Sequence, residues 1–146
     1  MSLIKLCKEG DLEGVKAALQ RGADVNTRDN KGQSALHGAV RSSCIDALEL
    51  LLSHTNINVN IVDNDGESAV HHAVDENNIE ALKLLLNHPG LTALTLNQKD
   101  NKFGEAPVMR AVDEEKRECL ELLAADLRVD LDTTDANGWS LEDLAR

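Results

Sequence analysis

The chain is 146 residues long, 42% hydrophobic and 28% charged, which is enough to bury a core without disulfides or a structural metal. Its 26 acidic and 15 basic residues give a formal charge of −11, which opposes binding to phosphate backbones or anionic lipid and calls for a partner with a basic surface. With one phenylalanine, one tryptophan and no tyrosine it has no aromatic platform for stacking bases or sugars, and no apolar run approaches the ~20 residues that span a bilayer.

The first segment, residues 2–28, opens SLIKLCKEGDLEGVKAAL, where acidic residues and a glycine interrupt the apolar positions, so no secretory signal is expected. It reads as two short helices closing on LQRGADVN. From Gly32 the chain runs GQSALHGAV, then a helical IDALELLL from Ile45, then an alternating NVNIVD, together residues 29–62. The same order returns in residues 63–99 as GESAVHHAV from Gly66, IEALKLLL from Ile79 and TLNQKD. It returns again in residues 100–134 as GEAPVMRAV from Gly104, RECLELLA from Arg117 and DLDTTD. Residues 135–146 supply only GWSLEDLAR from Gly138, without a leucine-rich second helix, and are expected to cap the stack.

The four glycines are spaced by 34, 38 and 34 residues, and each has an alanine seven positions on: Ala39, Ala73, Ala111 and Ala145. A period of that length signals a repeat architecture. Ser34, Ser68 and Ser140 stand where a hydroxyl caps a helix, and Pro107 sits in a first turn where it loses no hydrogen bond. Alanines and a short side chain at the fourth position after the cap are expected to thin one face for close stacking. The wider central spacing puts four extra residues between positions 87 and 104, in a loop expected to protrude with Phe103 near its tip.

DNKGQSALHGAV and DNDGESAVHHAV resemble the D-x-x-G-x-T-P-L-H-x-A-A motif of ankyrin repeats, and LQRGADVN fits that family's L-x-x-G-A-D-V-N ending. The resemblance covers nearly the whole chain. It implies an all-α repeat solenoid of stacked helix-turn-helix units joined by β-hairpin-like loops, acting as a monomeric, non-catalytic scaffold, adaptor or inhibitory subunit. It also implies that His37 and His71 are structural, bonded to the motif's hydroxyl residue and to the backbone of a neighbouring unit. Family partners meet hairpin tips and first helices, which here implies a surface of Lys31, Gln33, Arg41, Ser42, Asp65, Glu67, Asp75, Glu76, Lys102, Phe103, Glu105, Asp113, Glu114 and Trp139. Each charge alone reads as a solvated face, but the first full unit is basic at these positions and the next two are mostly acidic. Phe103 and Trp139 are candidate contact anchors, and Trp139 equally suits a cover over the end of the core. LQRGADVN further resembles the target of an asparaginyl hydroxylase, with Asn26 as the modified residue. An engineered ankyrin binder is the remaining alternative, opposed by the irregular insert and the stray cysteines.

Chemistry beyond binding finds little support. His71 and His72 are adjacent and diverge on a helix, while His54 and His88 fall in helices ~8–10 Å apart, too far for one zinc; apart from the structural His71, they are expected to be surface polar residues. Cys7, Cys44 and Cys119 suit reduced thiols of a cytoplasmic or nuclear protein. DNDGE from Asp63 lacks the later glutamate of a calcium loop, and no phosphate-binding, metalloprotease or nucleophile motif occurs. No catalytic residue, cofactor or metal is expected.

Overall fold

A computed structural model describes residues 2–145, so Arg146 of the last phrase lies outside the described residues. Four helix pairs follow one another: α1 (Leu3–Glu9) with α2 (Leu12–Gln20), α3 (Ala35–Arg41) with α4 (Ile45–Ser53), α5 (Ala69–Asp75) with α6 (Ile79–Asn87), and α8 (Pro107–Asp113) with α9 (Arg117–Ala125). Two four-residue helices complete the set among the described residues, α7 (Ala93–Leu96) and α10 (Leu141–Leu144). First helices stack in one row, α1 on α3 on α5 on α8 with α10 at the end, and second helices α2, α4, α6 and α9 in another.

Helices of seven and nine residues are too short to persist alone, so the stack holds them. Their small apolar residues make contact possible: Ala39, Ala73 and Ala111 are buried between rows, and Leu48, Leu51, Leu82, Leu85 and Leu123 fill the gap from the second row. Packing is close at Gly38, where a Cβ would stand 3.1 Å from Lys8 Cγ and 3.2 Å from Lys8 N. Only that unit has the expected short residue at the fourth position after the cap. His72 and Arg110 stand there in the next two, and both are buried.

Hairpin tips are built by an aspartate and a glycine. Asp29 Oδ1 accepts from the N–H groups of Lys31 and Gln33, both at 2.9 Å, and Asp63, Asp100 and Asp135 staple the later tips in the same way. Gly32, Gly66 and Gly104 have φ of 76°, 76° and 68°, and a Cβ on Gly104 would lie 2.7 Å from Ala136 N. Glycine is thus required by conformation and by the approach of the next tip.

Successive tips are tied in a ladder. Asn64 N donates to Lys31 O at 3.0 Å, Asn101 N to Asp65 O at 2.8 Å, and Ala136 N to Phe103 O at 2.9 Å. The Asn64 and Asn101 side chains add a second bond each, Nδ2 donating to Asn30 O and Asn64 O; Ala136 occupies the same place without one. A parallel ladder uses Asn26, Asn60 and Asn97, whose Nδ2 donates to Asn56 O, Gly90 O and Arg128 O and whose Oδ1 accepts from the N–H of Asn58, Thr92 and Asp130.

These ladders locate the insert. Asn26 to Asn60 is 34 positions and Asn60 to Asn97 is 37, so three extra residues fall there, and the fourth, Lys102, lengthens the tip. The expected protruding loop is corrected. Thr92 caps α7, its Oγ1 accepting from Thr95 N at 3.2 Å, and Leu91 and Leu96 are buried, so most of the insert folds against the stack. No helix among the described residues is long and apolar enough to cross a membrane.

Candidate partner-binding surface

The tip aspartates and the ends of first helices bring the sequence-marked residues together on one side. Asp65, Glu67, Asp75, Lys102, Phe103, Glu105, Asp113 and Glu114 line a single recess of about 550 Å³, with Asp100 and Arg110 forming the rest of its wall. Lys31, Gln33, Arg41, Ser42 and Glu76 line a second, of about 330 Å³, together with Lys8. Trp139 lines neither and is 51% exposed. Phe103 is 52% exposed with the Lys102 ammonium 5.0 Å from its ring centroid.

Two residues expected at the exposed tip are buried instead. Gln33 is 5% exposed and Glu105 4%, because each follows its tip glycine and turns in under the neighbouring unit. Burial, followed by the charge of Asp113, pushes the Glu105 carboxyl up to about 7. Asp75 is raised to about 6, by burial against the pull of Arg110 and then by the charges of Glu114 and Glu67.

The group that organises the recess, Arg110, is one that sequence reasoning missed. Its guanidinium pairs with Glu67 and Asp100 and lies 3.1 Å from Asp75. Although burial works against its charge, the Glu67 hydrogen bond and the charges of Asp75 and its other partners hold its pKa above the ordinary value. The acidic surface is therefore partly neutralised from within: of seven carboxylates lining it, three face Arg110.

His37 and His71 act as the resemblance implied. His37 Nδ1 accepts from Ser34 N at 3.1 Å and lies 3.0 Å from Ser34 Oγ, which leaves Nε2 protonated to donate to Glu67 O at 3.1 Å. His71 repeats this with Ser68 and donates to Glu105 O at 2.9 Å. Burial pushes both pKa values down to about 4, so both rings are neutral at pH 7. Each ties its own unit to the tip of the next.

His72 corrects the expectation of a surface histidine. It is buried, donates from Nε2 to Asp63 Oδ2 at 3.1 Å, and meets the His37 ring edge-on at 5.2 Å. His37, Asp63 and His72 each bring one possible metal-ligand atom within 4.8 Å of the others. Those groups already bond the tip backbone or one another, so a cation would have to break the tip to enter.

Both amide groups of the Asn26 side chain are used in its ladder, and Asn60 and Asn97 share that duty. Cys7 and Cys119 are buried with thiols pushed up by burial, Cys7 to about 12, while Cys44 is half-buried at the start of α4. The two buried thiols are thus shifted away from the lowered pKa of a nucleophile.

A family model for ankyrin repeats, three copies, matches residues 3–93 and 55–135. Among curated proteins, 54 residues are 44% identical to the 2-5A-dependent ribonuclease of Mus musculus, 36% of this chain and 7% of that protein. Another 44% match, over 50 residues, is to the Serine/threonine-protein kinase 12 of Arabidopsis thaliana, 34% of this chain and 11% of that protein. Protein fem-1 homolog A-like of Mus musculus is 45% identical over 47 residues, 32% of this chain and 7% of that protein. The chain thus matches between 7% and 11% of the length of these relatives.

Proposed function

The chain belongs to the ankyrin-repeat family, whose repeats are protein–protein interaction modules and whose members are generally non-catalytic, and from that premise we propose that it binds a protein partner bearing basic groups. The acidic recess carries this reading. Asp65, Asp113 and Glu114 are exposed around it, while Asp75 and Glu105 stand in its wall, so one partner cation meets carboxylates from two successive units. Fields from such a concave wall add, which raises the association rate of a basic partner and slows a wrong one. Phe103 at the rim offers an apolar contact that lengthens the complex's lifetime.

The role is that of a scaffold, adaptor or inhibitory subunit. The experiment is kinetic measurement, at two salt concentrations, on a partner captured by the chain. Asp113→Lys with Glu114→Lys is expected to lower the association rate and its salt dependence, and Phe103→Ala to speed dissociation by about tenfold or more. Unchanged rates in both variants would move the docking site to another face.

A further inference from the structure

The second recess is the first with its charges inverted. Lys31 precedes its tip glycine as Asp65 does, Gln33 follows it as Glu67 and Glu105 do, and Arg41 stands nine positions beyond it as Asp75 and Asp113 do. Lys8, Lys31 and Arg41 against Glu76 give a lining of formal charge +2, three minus one, in a chain whose total is −11. Lys8 is held by Asp29 at 2.7 Å, but Lys31 and Arg41 make no ion pair among the described residues.

Gln33 is the independent sign of a ligand. Its Oε1 is buried with no hydrogen-bond partner, in a residue that lines the recess. An orphan acceptor of this kind is destabilising until a donor reaches it. Rotation of the terminal amide exchanges its oxygen and nitrogen, so a ligand entering the recess can complete its bonding. The neutral amide also removes, at this one unit, the carboxylate that would repel an acid.

We propose that this recess takes an aspartate or glutamate side chain of the partner, its carboxylate held by Lys31 and Arg41 and its adjoining peptide group by Gln33. This rests on the reading of the stack as a partner-binding module and specifies the partner: an extended segment carrying both a basic and an acidic residue. Asp75 and Glu76, adjacent at the end of α5, face one recess each, so the two recesses share a wall. Neighbouring helices lie ~10 Å apart and an extended chain advances ~3.3 Å per residue, so the two charges stand about three to six positions apart. Glu76 in the wall disfavours a doubly charged phosphate in place of a carboxylate.

The test selects a displayed library of random twelve-residue peptides on the full chain, on Lys31→Gln with Arg41→Gln, and on Asp113→Asn with Glu114→Gln, after melting curves show all three folded. Peptides from the unaltered chain are expected to pair an acidic with a basic residue at that spacing. The Lys31/Arg41 variant is expected to drop the acidic requirement alone, and the Asp113/Glu114 variant the basic one alone. For a selected peptide, replacing its acid by the amide should raise Kd about tenfold on the unaltered chain and change it little on the Lys31/Arg41 variant. Gln33→Met should weaken the peptide without lowering the melting temperature, an outcome a purely structural glutamine would not give. Basic enrichment without acidic, or acidic enrichment that survives the Lys31/Arg41 variant, overturns this inference and leaves the acidic recess standing. Absence of basic enrichment overturns the proposed function, and no enrichment above an unrelated protein overturns both.

Discussion

His71 and Met109 are both the third residue of a first helix, in successive units, yet the units around them are held by different means. At His71 a neutral ring links Ser68 to the carbonyl of Glu105. At Met109 the side chain is buried and apolar, and the next residue, Arg110, reaches back to Glu67 and Asp75 of the preceding unit and to Asp100 of its own tip. The first arrangement satisfies polar groups without burying charge. The second buries a cation that stays tolerable only while its carboxylates surround it, so loss of one member is far more damaging than the net stabilisation suggests.

The largest effect is therefore expected at the arginine. Arg110→Ala leaves Glu67, Asp75 and Asp100 facing one another and should cost about 3–5 kcal/mol in urea denaturation at pH 7. A cost below 1 kcal/mol would put the two junctions on the same footing. Acid should strike the histidine junctions instead. Both rings have pKa values lowered from 6.5 to about 4, so the stability they supply is complete above pH 6.5 and is lost as pH falls towards 4, where the unfolded chain binds protons first. The loss is on the order of 3 kcal/mol for each ring, and His71→Met should flatten that limb of the urea-midpoint profile by about half. Glu105 and Asp75 have the opposite sign: their raised values of about 7 and 6 mean stability present at low pH and lost as pH rises through them. Glu105→Gln should accordingly raise the midpoint at pH 8 relative to pH 5.

Smaller effects probe the ends and the turns. Removing residues 135–146 uncovers α8 and should lower stability by about 2 kcal/mol, seen as a lower melting temperature; an unchanged curve would show α10 to be dispensable. Between paired helices the chain passes through positive φ at Gly10, Ser43, Asn77 and Glu115, at 71°, 57°, 51° and 57°. Glycine belongs there, so Glu115→Gly should stabilise by about 0.5–1 kcal/mol and Asn77→Gly by less.

What recurs in this chain was legible in its sequence: tip glycines, the capping Ser34 and Ser68 and the latching histidines announce themselves by return at a fixed spacing. Arg110 and His72 were not legible, because their position holds glycine, histidine and arginine in turn, and a pattern of repetition is blind to a residue that occurs once. Gln33 and Glu105 look like tip residues until the neighbouring unit is stacked over them, a contact between units that no single unit encodes. The insert's length could be counted, but its fold depended on Leu91 and Leu96 finding places in the shared core, although Thr92 ahead of ALTL was a readable cap.

The hydrogen-bonded tips also set how the stack would fail under load. Tension along it is carried in series, rung by rung, so the weakest rung yields first. Two rungs are doubled by the side chains of Asn64 and Asn101, whereas the last hangs on one backbone bond from Ala136. A partner pulling on the far end would peel away residues 135–145 while the histidine-latched units stayed shut, and a second strand of rope, Ala136→Asn, would move the breaking point inward.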